Sequence, residues 1–175
     1  MGLKLDLGCG STPRDGYIGV DVTVDGTKAA IAVDLFTFPW PWPDNSVEAI
    51  WCSHFFEHVP NHVRGKFMEE AWRILSPNAE MMIICPHARS NRAIQDLTHE
   101  WPPIVWESFL YFNRGWRQVN HLDHYPYPTK CDFDFTYGDI PHPDFDQQPD
   151  AEKTFAVQHY WNATTDIHAL LTARK

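Results

Sequence analysis

Two glycines near the start of the chain have the spacing of a ligand-binding loop. Gly8 and Gly10 follow the apolar segment that ends at Leu7. Glycine at the end of a strand lets a ligand lie close to the backbone, and ligands bind at that end in open α/β sheets; a plain tight turn is the alternative. The dinucleotide-binding fingerprint is incomplete, because Pro13 replaces its third glycine and Asp21 follows Gly10 by only 11 residues instead of about 20. The spacing therefore favours a ligand without a pyrophosphate.

A second group of chemistry-bearing residues is the pattern H-x-x-E-H from His54 to His58. On an α-helix, these two histidines would lie one turn apart and could bind one zinc ion. The pattern directly follows an apolar strand, however, and Pro60 would end a helix soon afterwards. We therefore expect no metal ligands in the chain and treat zinc-dependent hydrolysis as an alternative function.

Five short apolar runs in the first half of the chain predict β-strands. Continuous apolar runs are typical of parallel strands that are buried on both faces. The predicted strands are Lys4–Leu7, Tyr17–Val22, Ala30–Leu35, Val47–Ser53 and Met81–Cys85. Between the last two, apolar residues recur at helical spacing from about Asn61 to Leu75, which predicts an α-helix. A strand, a helix and a strand with short connections form a βαβ unit, so the sheet should be mostly parallel.

The second half of the chain has a weaker pattern. Ile104–Phe112 is a helix candidate, Asp132–Tyr137 alternates as a strand does, and residues 138–149 have the composition of a surface loop. Asp166–Ala173 is predicted to be a final, antiparallel strand that closes the sheet. We predict one α/β domain over residues 1–175, with a Rossmann-like, doubly wound and mostly parallel sheet.

Several segments of the first half together resemble the motifs of one enzyme family. The segment from Leu5 to Gly10 resembles the first motif of class I S-adenosylmethionine-dependent methyltransferases, and Tyr17–Asp21 resembles their second strand with its ribose-binding carboxylate. The later motifs correspond to Asp34–Leu35, Phe38–Ile50, Ser53–Val59 and Phe67–Asn78. The resemblance extends over residues 3–86 and is greatest to the small methyltransferases of the type 11 group.

The resemblance implies S-adenosylmethionine as the cofactor and a set of residues that bind it. Asp21 would accept hydrogen bonds from the ribose hydroxyls, Asp34 would accept one from the adenine amino group, and Leu35 and Phe36 would pack on the purine. Asp6 would orient the glycine loop or the methionine moiety. The implied cofactor-binding set is Asp6, Leu7, Gly8, Cys9, Gly10, Asp21, Val22, Asp34, Leu35, Phe36, Ser53, His54 and His58. Residues 1–86 would form a cofactor-binding half and residues 87–175 a substrate or lid half.

Three histidines are candidates for a catalytic base. His54 follows the fourth predicted strand, His87 follows the fifth, and His99 lies in a segment that resembles the substrate side of the related enzymes. Histidine titrates near neutral pH, so each could take a proton from an acceptor hydroxyl or amine. A structural role is the alternative for each of them.

The sequence departs from the usual class I pattern near the N-terminus. Only residues 11–16 separate the first two predicted strands, which is too short for a full helix. One face of the sheet should therefore be thinly covered. Residues 90–160 or a second copy of the chain in a homo-oligomer could supply the cover.

Composition restricts the possible partners of the protein and its expected cellular location. The formal net charge of −9 disfavours nucleic acid as a partner, because phosphate binding needs clustered Lys and Arg. Residues 121–152 carry eight acidic residues and one lysine, which favours a neutral or cationic acceptor. The four cysteines lack C-x-x-C spacing, and no apolar stretch is long enough to cross a membrane. We expect reduced thiols, no membrane partner and a cytoplasmic location.

The sequence therefore predicts methyl transfer from S-adenosylmethionine to a small-molecule or carbohydrate-like acceptor. Trp101, Trp106 and Trp116 could form an aromatic wall for a sugar or a planar acceptor, although core and lid packing is the simpler interpretation. Two alternatives stay open: the zinc-dependent hydrolase, and a non-catalytic S-adenosylmethionine-binding protein of the same fold that acts as a partner.

Overall fold

The computed structural model describes residues 2–122, 124, 130–145 and 147–175. Its strands are β1 (Leu3–Leu7), β2 (Ile18–Asp21), β3 (Ile31–Ala32), β4 (Val47–Ser53), β5 (Leu75–Pro86), β6 (Phe133–Pro141) and β7 (Thr164–Ala173). Its α-helices are α1 (Asn61–Ile74), α2 (Arg92–Gln95), α3 (Arg114–Val119) and α4 (Asp150–His159). Short 3₁₀ helices cover Phe56–His58, Trp106–Phe112 and Pro143–Phe145.

The strands form one seven-stranded sheet in the order β3-β2-β1-β4-β5-β7-β6. The strands from β1 to β5 pair in parallel, whereas β7 lies between β5 and β6 and is antiparallel to both. The predicted Rossmann-like sheet with an antiparallel C-terminal strand is confirmed. The carboxyl ends of β1, β2, β4, β5 and β6 share one edge, which is where ligands bind in open sheets of this kind.

The helix α1 connects β4 to β5, as the apolar spacing predicts, and a buried carboxylate joins it to the preceding loop. Phe67 and Met68 on α1 are fully buried. The carboxylate of Glu70, also buried, accepts hydrogen bonds from Arg73 at 2.8 Å and from the Trp40 amide at 2.9 Å. Burial alone would raise the pKa of Glu70, but the hydrogen bonds from Arg73 and Trp40 outweigh it and lower the pKa.

The described chain has no helix between β1 and β2 or between β2 and β3, which confirms the abbreviated N-terminal half. The segment after β1 lies against the sheet instead, with the Arg14 guanidinium 3.7 Å from the centroid of the Trp51 ring on β4. Beyond β2, Val22 and Val24 stay 67% and 47% exposed. This corner of the sheet is thinly covered, as expected.

The second half differs from the sequence prediction in several elements. Residues 138–141, predicted as loop, continue β6 and pair with β7. The helix α4 has no counterpart among the predicted elements, because it buries little and offers a weak periodic signal: Ala156 is its one buried residue. The segment Trp106–Phe112 is a 3₁₀ helix, where the sequence predicts an ordinary helix. β5 begins at Leu75 rather than at Met81. Leu75 pairs with Val47 of β4, and after an irregularity the pairing with β4 continues from Glu80.

All four cysteines are buried and free, in agreement with the prediction of reduced thiols. Among the described residues, no helix combines the length and the apolar character that crossing a membrane requires.

Candidate active site

The glycine loop lies at the carboxyl edge, directly after β1. Gly8 and Gly10 have φ angles of +70° and +53°, in the left-handed region that glycine adopts without strain. A Cβ on Gly8 would lie 2.1 Å from an atom of the Phe55 ring, whereas a Cβ on Gly10 would meet nothing within 4 Å. The loop is therefore packed against Phe55 at Gly8 and leaves open space at Gly10.

Asp21, at the end of β2, joins the glycine loop to the sheet. Its Oδ2 accepts a hydrogen bond from the Gly10 amide at 2.8 Å, and its Oδ1 accepts one from the Val22 amide at 2.8 Å. Each carboxylate oxygen has further lone-pair capacity, so Asp21 can hold the loop and still accept bonds from the hydroxyls of a ligand.

Asp6 is buried on the neighbouring strand and bonds to the segment that follows the glycine loop. Its Oδ2 accepts a hydrogen bond from the Arg14 amide at 2.8 Å, and burial raises its pKa. This contact fixes the segment after the glycine loop to β1, and the role of Asp6 towards the loop or the methionine moiety stays a prediction.

Asp34 closes a turn through its own side chain. Its carboxylate accepts hydrogen bonds from the Thr37 hydroxyl at 2.7 Å and from the Phe36 amide at 2.9 Å, and these bonds lower the pKa of Asp34. Leu35 is buried in the core, while the Phe36 side chain is 38% exposed. Of the two apolar residues expected to pack on a purine, Phe36 is therefore the one that presents an exposed ring.

Phe55 is absent from the predicted site, yet it connects the two parts of it. Its ring lies against Gly8 and stacks on Phe36, with the ring centroids 5.8 Å apart. The available signal is its place in the Ser53–Val59 segment, which resembles a family motif. A family motif identifies the segment but not which of its side chains faces the loop.

The residues after β4 form a polar group around Glu57. Ser53 is the last residue of β4, and His54 follows with a φ of +53°. The Nδ1 atom of His54 lies 3.5 Å from Glu57 Oε1, and this interaction raises the pKa of His54. The Glu57 side chain is buried, and no group in the described part of the chain bonds to its Oε2.

The hydrolase alternative needs an α-helix that the structure does not form. The helical part of this segment is a three-residue 3₁₀ helix, Phe56–His58, and His54 lies outside it with a left-handed backbone. His54 and His58 are therefore not on successive turns of one helix, and the pair of zinc ligands that the hydrolase alternative requires is not assembled.

His58 instead meets His99, which is distant in the sequence. Their ring centroids lie 4.7 Å apart, and the groups on Glu57, His58 and His99 that can bind a metal lie within 4.8 Å of one another. Two predicted catalytic residues, His54 and His99, are thus gathered around Glu57 together with His58. The third, His87, lies elsewhere.

A cavity of about 680 Å³ opens farther along the carboxyl edge. Its lining comes from the end of β5, the 3₁₀ helix after β5, the end of β6 and α4. In this lining, Trp106 stacks on Tyr137 with the ring centroids 4.5 Å apart and the planes 1° from parallel. Of the other tryptophans expected in an aromatic wall, Trp101 is 73% exposed and Trp116 packs on Tyr111.

His87 and Asp139 lie together in the cavity lining. His87 Nδ1 accepts a hydrogen bond from the Arg89 amide at 3.0 Å, and His87 Nε2 lies 4.0 Å from Asp139 Oδ1. Burial lowers the pKa of His87 and raises the pKa of Asp139. Within the described residues, Asp139 Oδ1 is buried without a hydrogen-bond partner. The sequence prediction missed Asp139 because it assigned residues 138–149 to a loop.

The comparisons with known proteins agree with this geometry. Residues 5–83 match the family model described as a methyltransferase domain, and no curated protein matches the chain at a significant level. The chain is similar to a crystal structure of an S-adenosylmethionine-dependent methyltransferase from Archaeoglobus fulgidus, with 16% identity, a TM-score of 0.66, and coverage of 99% of this chain and 86% of that one.

Two further solved structures have the same fold. The YcgJ protein from Bacillus subtilis is 13% identical with a TM-score of 0.54, and the alignment covers 99% of this chain and 92% of that one. Phosphoethanolamine N-methyltransferase 2 from Haemonchus contortus, in complex with S-adenosyl-L-methionine, is 14% identical with a TM-score of 0.52 and coverage of 99% and 49%.

The sheet order, the glycine loop and these similarities define a class I methyltransferase fold. Residues 5–83 match a methyltransferase domain, and the chain as a whole is similar in fold to an S-adenosylmethionine-dependent methyltransferase. The family match and the fold imply S-adenosylmethionine as the cofactor, and the residues present fit it. The backbone is open at Gly10, and the Asp21 carboxylate beside it can accept hydrogen bonds from ribose hydroxyls.

Proposed function

We propose that the chain transfers a methyl group from S-adenosylmethionine to a small-molecule acceptor, carbohydrate-like acceptors included, which binds in the cavity beside β5 and β6. The observation that carries this proposal is the position of the cavity. It opens at the same edge of the sheet as the glycine loop, and its volume of about 680 Å³ falls in the range of small-ligand sites.

The cofactor would be held by the first half of the chain. The open backbone at Gly10 would lie against the methionine moiety, Asp21 would accept bonds from the ribose hydroxyls, and Asp34 and Phe36 would face the adenine. The remaining contacts would come from the other residues that the resemblance implies: Asp6, Leu7, Cys9, Val22, Leu35, Ser53, His54 and His58. When bound, the cofactor supplies an electrophilic methyl group on a positively charged sulfur.

The aromatic pair in the cavity would position the acceptor. The faces of Trp106 and Tyr137 suit a sugar ring or another flat molecule, because aromatic rings combine a large apolar surface with polar tips. Positioning of this kind accounts for much of the rate enhancement in reactions that join two bound partners.

The charges in the cavity lining favour a neutral acceptor over a polyanion. Arg89 and Lys153 are balanced by Glu107 and Asp139 in that lining. A site for a phosphate polymer would instead need a cluster of basic residues. This balance supports the sequence-based expectation of a neutral or cationic acceptor.

An acceptor hydroxyl must lose its proton, and Asp139 is the best-placed group in the cavity to receive it. Its raised pKa brings it closer to the range in which a general base is effective. In contrast, the lone pair of neutral His87 is already occupied by the Arg89 amide. His87 would then position Asp139, while His54 and His99 stay candidates on the side of the glycine loop.

The test is S-adenosylhomocysteine formation by the purified chain against a panel of soluble sugars, phenols and amines, with RNA and protein acceptors as comparison arms. The variants are Trp106→Ala and Asp139→Asn, and the control is Trp101→Ala, which removes an exposed indole. We expect turnover with a small acceptor that both cavity variants reduce at least 10-fold and the control leaves unchanged. Methylation of the polymers alone, or cofactor binding without turnover on any acceptor, would overturn the proposal.

A further inference from the structure

The polar group after β4 contains three side chains with the chemistry of a metal site. Glu57, His58 and His99 offer a carboxylate oxygen and two imidazole nitrogens within 4.8 Å of one another. We propose that these three residues bind a divalent ion of the first-row transition metals. The proposal revises the sequence-based expectation that the chain has no metal ligands, and it uses His99 where the hydrolase pattern requires His54.

Both histidines are held in the tautomer that a metal requires. Thr98 Oγ1 donates its proton to Asp96 Oδ1 at 2.7 Å. The Nδ1 atom of His58 lies 3.1 Å from that hydroxyl and 3.3 Å from the Thr98 carbonyl. Nδ1 must therefore donate the hydrogen bond in these contacts. His99 Nδ1 lies 3.2 Å from the Ala93 carbonyl, which can only accept a hydrogen bond. In the neutral rings, the lone pair is left on Nε2, which in His99 lies 3.9 Å from Asp96 Oδ2. Metal-bound histidines are oriented by this same kind of Nδ1 contact.

The buried carboxylate lacks a partner that a cation would supply. The Glu57 side chain is 7% exposed, and within the described residues no hydrogen bond reaches its Oε2. A carboxylate oxygen without a hydrogen bond in such a position is costly to bury. His54 Nδ1 lies 3.5 Å from the other oxygen, Oε1, and restrains the carboxylate from that side.

The two segments that carry the ligands are fixed to each other by the backbone and by Arg64. The Glu100 amide donates to the Glu57 carbonyl at 2.9 Å. The Arg64 guanidinium, itself buried, donates to the carbonyls of Glu100 at 2.9 Å, Pro102 at 2.6 Å and Val59 at 3.0 Å. His99 is therefore held beside His58 by a rigid support, which a metal site needs.

The donor set selects the kind of ion. Two imidazoles and one carboxylate suit zinc, cobalt and manganese, while magnesium prefers sites made of oxygen. Ligand atoms that share an ion lie about 2.0–2.2 Å from it and hence no more than about 4.3 Å apart. Small side-chain rotations would bring the three groups, which now lie within 4.8 Å of one another, to that separation. The His99 side chain is 11% exposed and His58 is also partly exposed, which leaves a coordination position open to solvent. The three ligands lie outside the lining of the cavity beside β5 and β6, so ion binding does not depend on the proposed function.

The experiment uses the full chain purified without a histidine tag and stripped of metal with a chelator. Co²⁺ is added, and binding is followed by visible d–d absorption and by calorimetry, with Zn²⁺ and Mg²⁺ as comparison ions. The variants are His58→Ala, His99→Ala and the double variant, and the matched control is His62→Ala, an exposed histidine on α1. S-adenosylhomocysteine affinity and thermal unfolding are measured for every protein, so that loss of fold or of the cofactor site is seen separately.

We expect one equivalent of Co²⁺ to bind to the wild type and to His62→Ala, with Zn²⁺ competing and Mg²⁺ much weaker. Each ligand variant should remain folded and lose Co²⁺ affinity by at least 10–100-fold. A loss of that size is typical when only a residue that supports a metal ligand is removed. No spectral change in the wild type at millimolar Co²⁺, or binding that persists in the folded double variant, overturns the metal site whatever the S-adenosylhomocysteine result. Failure of S-adenosylhomocysteine to bind would overturn the proposed function and leave the metal site standing.

Discussion

The Gly10 amide donates a hydrogen bond to Asp21 Oδ2 over 2.8 Å, so the carboxylate proposed to bind the ribose also closes the glycine loop. This arrangement links loop geometry to ligand binding. A ligand that bonds to Asp21 also stabilises the loop conformation in which Gly10 is open.

Replacing Asp21 with Ala should weaken S-adenosylhomocysteine binding by about 1–3 kcal/mol, because hydrogen bonds to a charged group are lost. Calorimetry measures the change. Asp25→Ala, which removes an exposed carboxylate a few residues away, is the matched control and should leave the affinity unchanged. Equal affinity in the Asp21 variant and the wild type would mean that the ribose carboxylate lies elsewhere.

Replacing Gly8 with Ala should destabilise the protein by more than its backbone strain alone. Gly8 and Gly16 both have left-handed backbones, but a Cβ at Gly8 would overlap Phe55, whereas a Cβ at Gly16 would meet nothing within 4 Å. Gly16→Ala should cost about 1–2 kcal/mol from the positive φ, and Gly8→Ala more. Urea unfolding measures the free energy of unfolding of both variants. Equal decreases would show that the contact with Phe55 does not affect stability.

Glu70 should make the fold sensitive to acid. Because hydrogen bonds lower its pKa in the folded state, its contribution to stability is present above the ordinary glutamate pKa and is lost as the pH falls through the folded-state value. Glu70→Gln should therefore lower the free energy of unfolding by about 1–3 kcal/mol near neutral pH. Between pH about 6 and 3, the free energy of unfolding of this variant should depend less on pH than that of the wild type.

The control for Glu70 is Glu80→Gln, which changes an exposed glutamate on β5. Its free energy of unfolding should follow that of the wild type across the acid range. If Glu70→Gln and Glu80→Gln had the same pH profile, the bonds to Arg73 and Trp40 would not be the source of the acid sensitivity.

Arg64 should stabilise the segment from Glu57 to Pro102 as a unit. Arg64→Ala leaves buried carbonyls without their donor, so the free energy of unfolding should fall by more than about 2 kcal/mol. Lys66→Ala, an exposed change on the same helix, should stay within about 0.5 kcal/mol of the wild type. Hydrogen exchange at the Glu100 amide, which donates to Glu57, should accelerate in the Arg64 variant. Unaltered exchange would show that the two segments are held together without Arg64.

The parallel half of the sheet could be predicted from sequence because its strands are short, apolar and buried on both faces. Leu5, Val20 and Ile50 belong to such runs, and all three are buried. The same is true of α1, whose apolar residues recur at helical spacing. The helix α4 has no such pattern, since it lies on the surface and is kept there by neighbouring elements rather than by an apolar face of its own.

The candidate site could be predicted only where its residues follow strands directly. Gly8, Gly10 and Asp21 do so, and their proximity follows from the parallel pairing of β1 with β2. The contacts of His58 with His99 and of His87 with Asp139 depend on how distant segments fold back. Sequence spacing holds no information about such contacts, so the histidines could be nominated as candidates while their partners could not.

The insertion of β7 between β5 and β6 has a consequence for synthesis on the ribosome. Both β5 and β6 are synthesised before β7. The edge of each strand that pairs with β7 therefore stays unpaired until Ala173 has been added. Open strand edges are sites of aggregation, and chains fold progressively from the N-terminus as they are made. Residues 1–86 can therefore begin to fold early, but the part of the sheet that carries the cavity beside β5 and β6 can close only after β7 has left the ribosome.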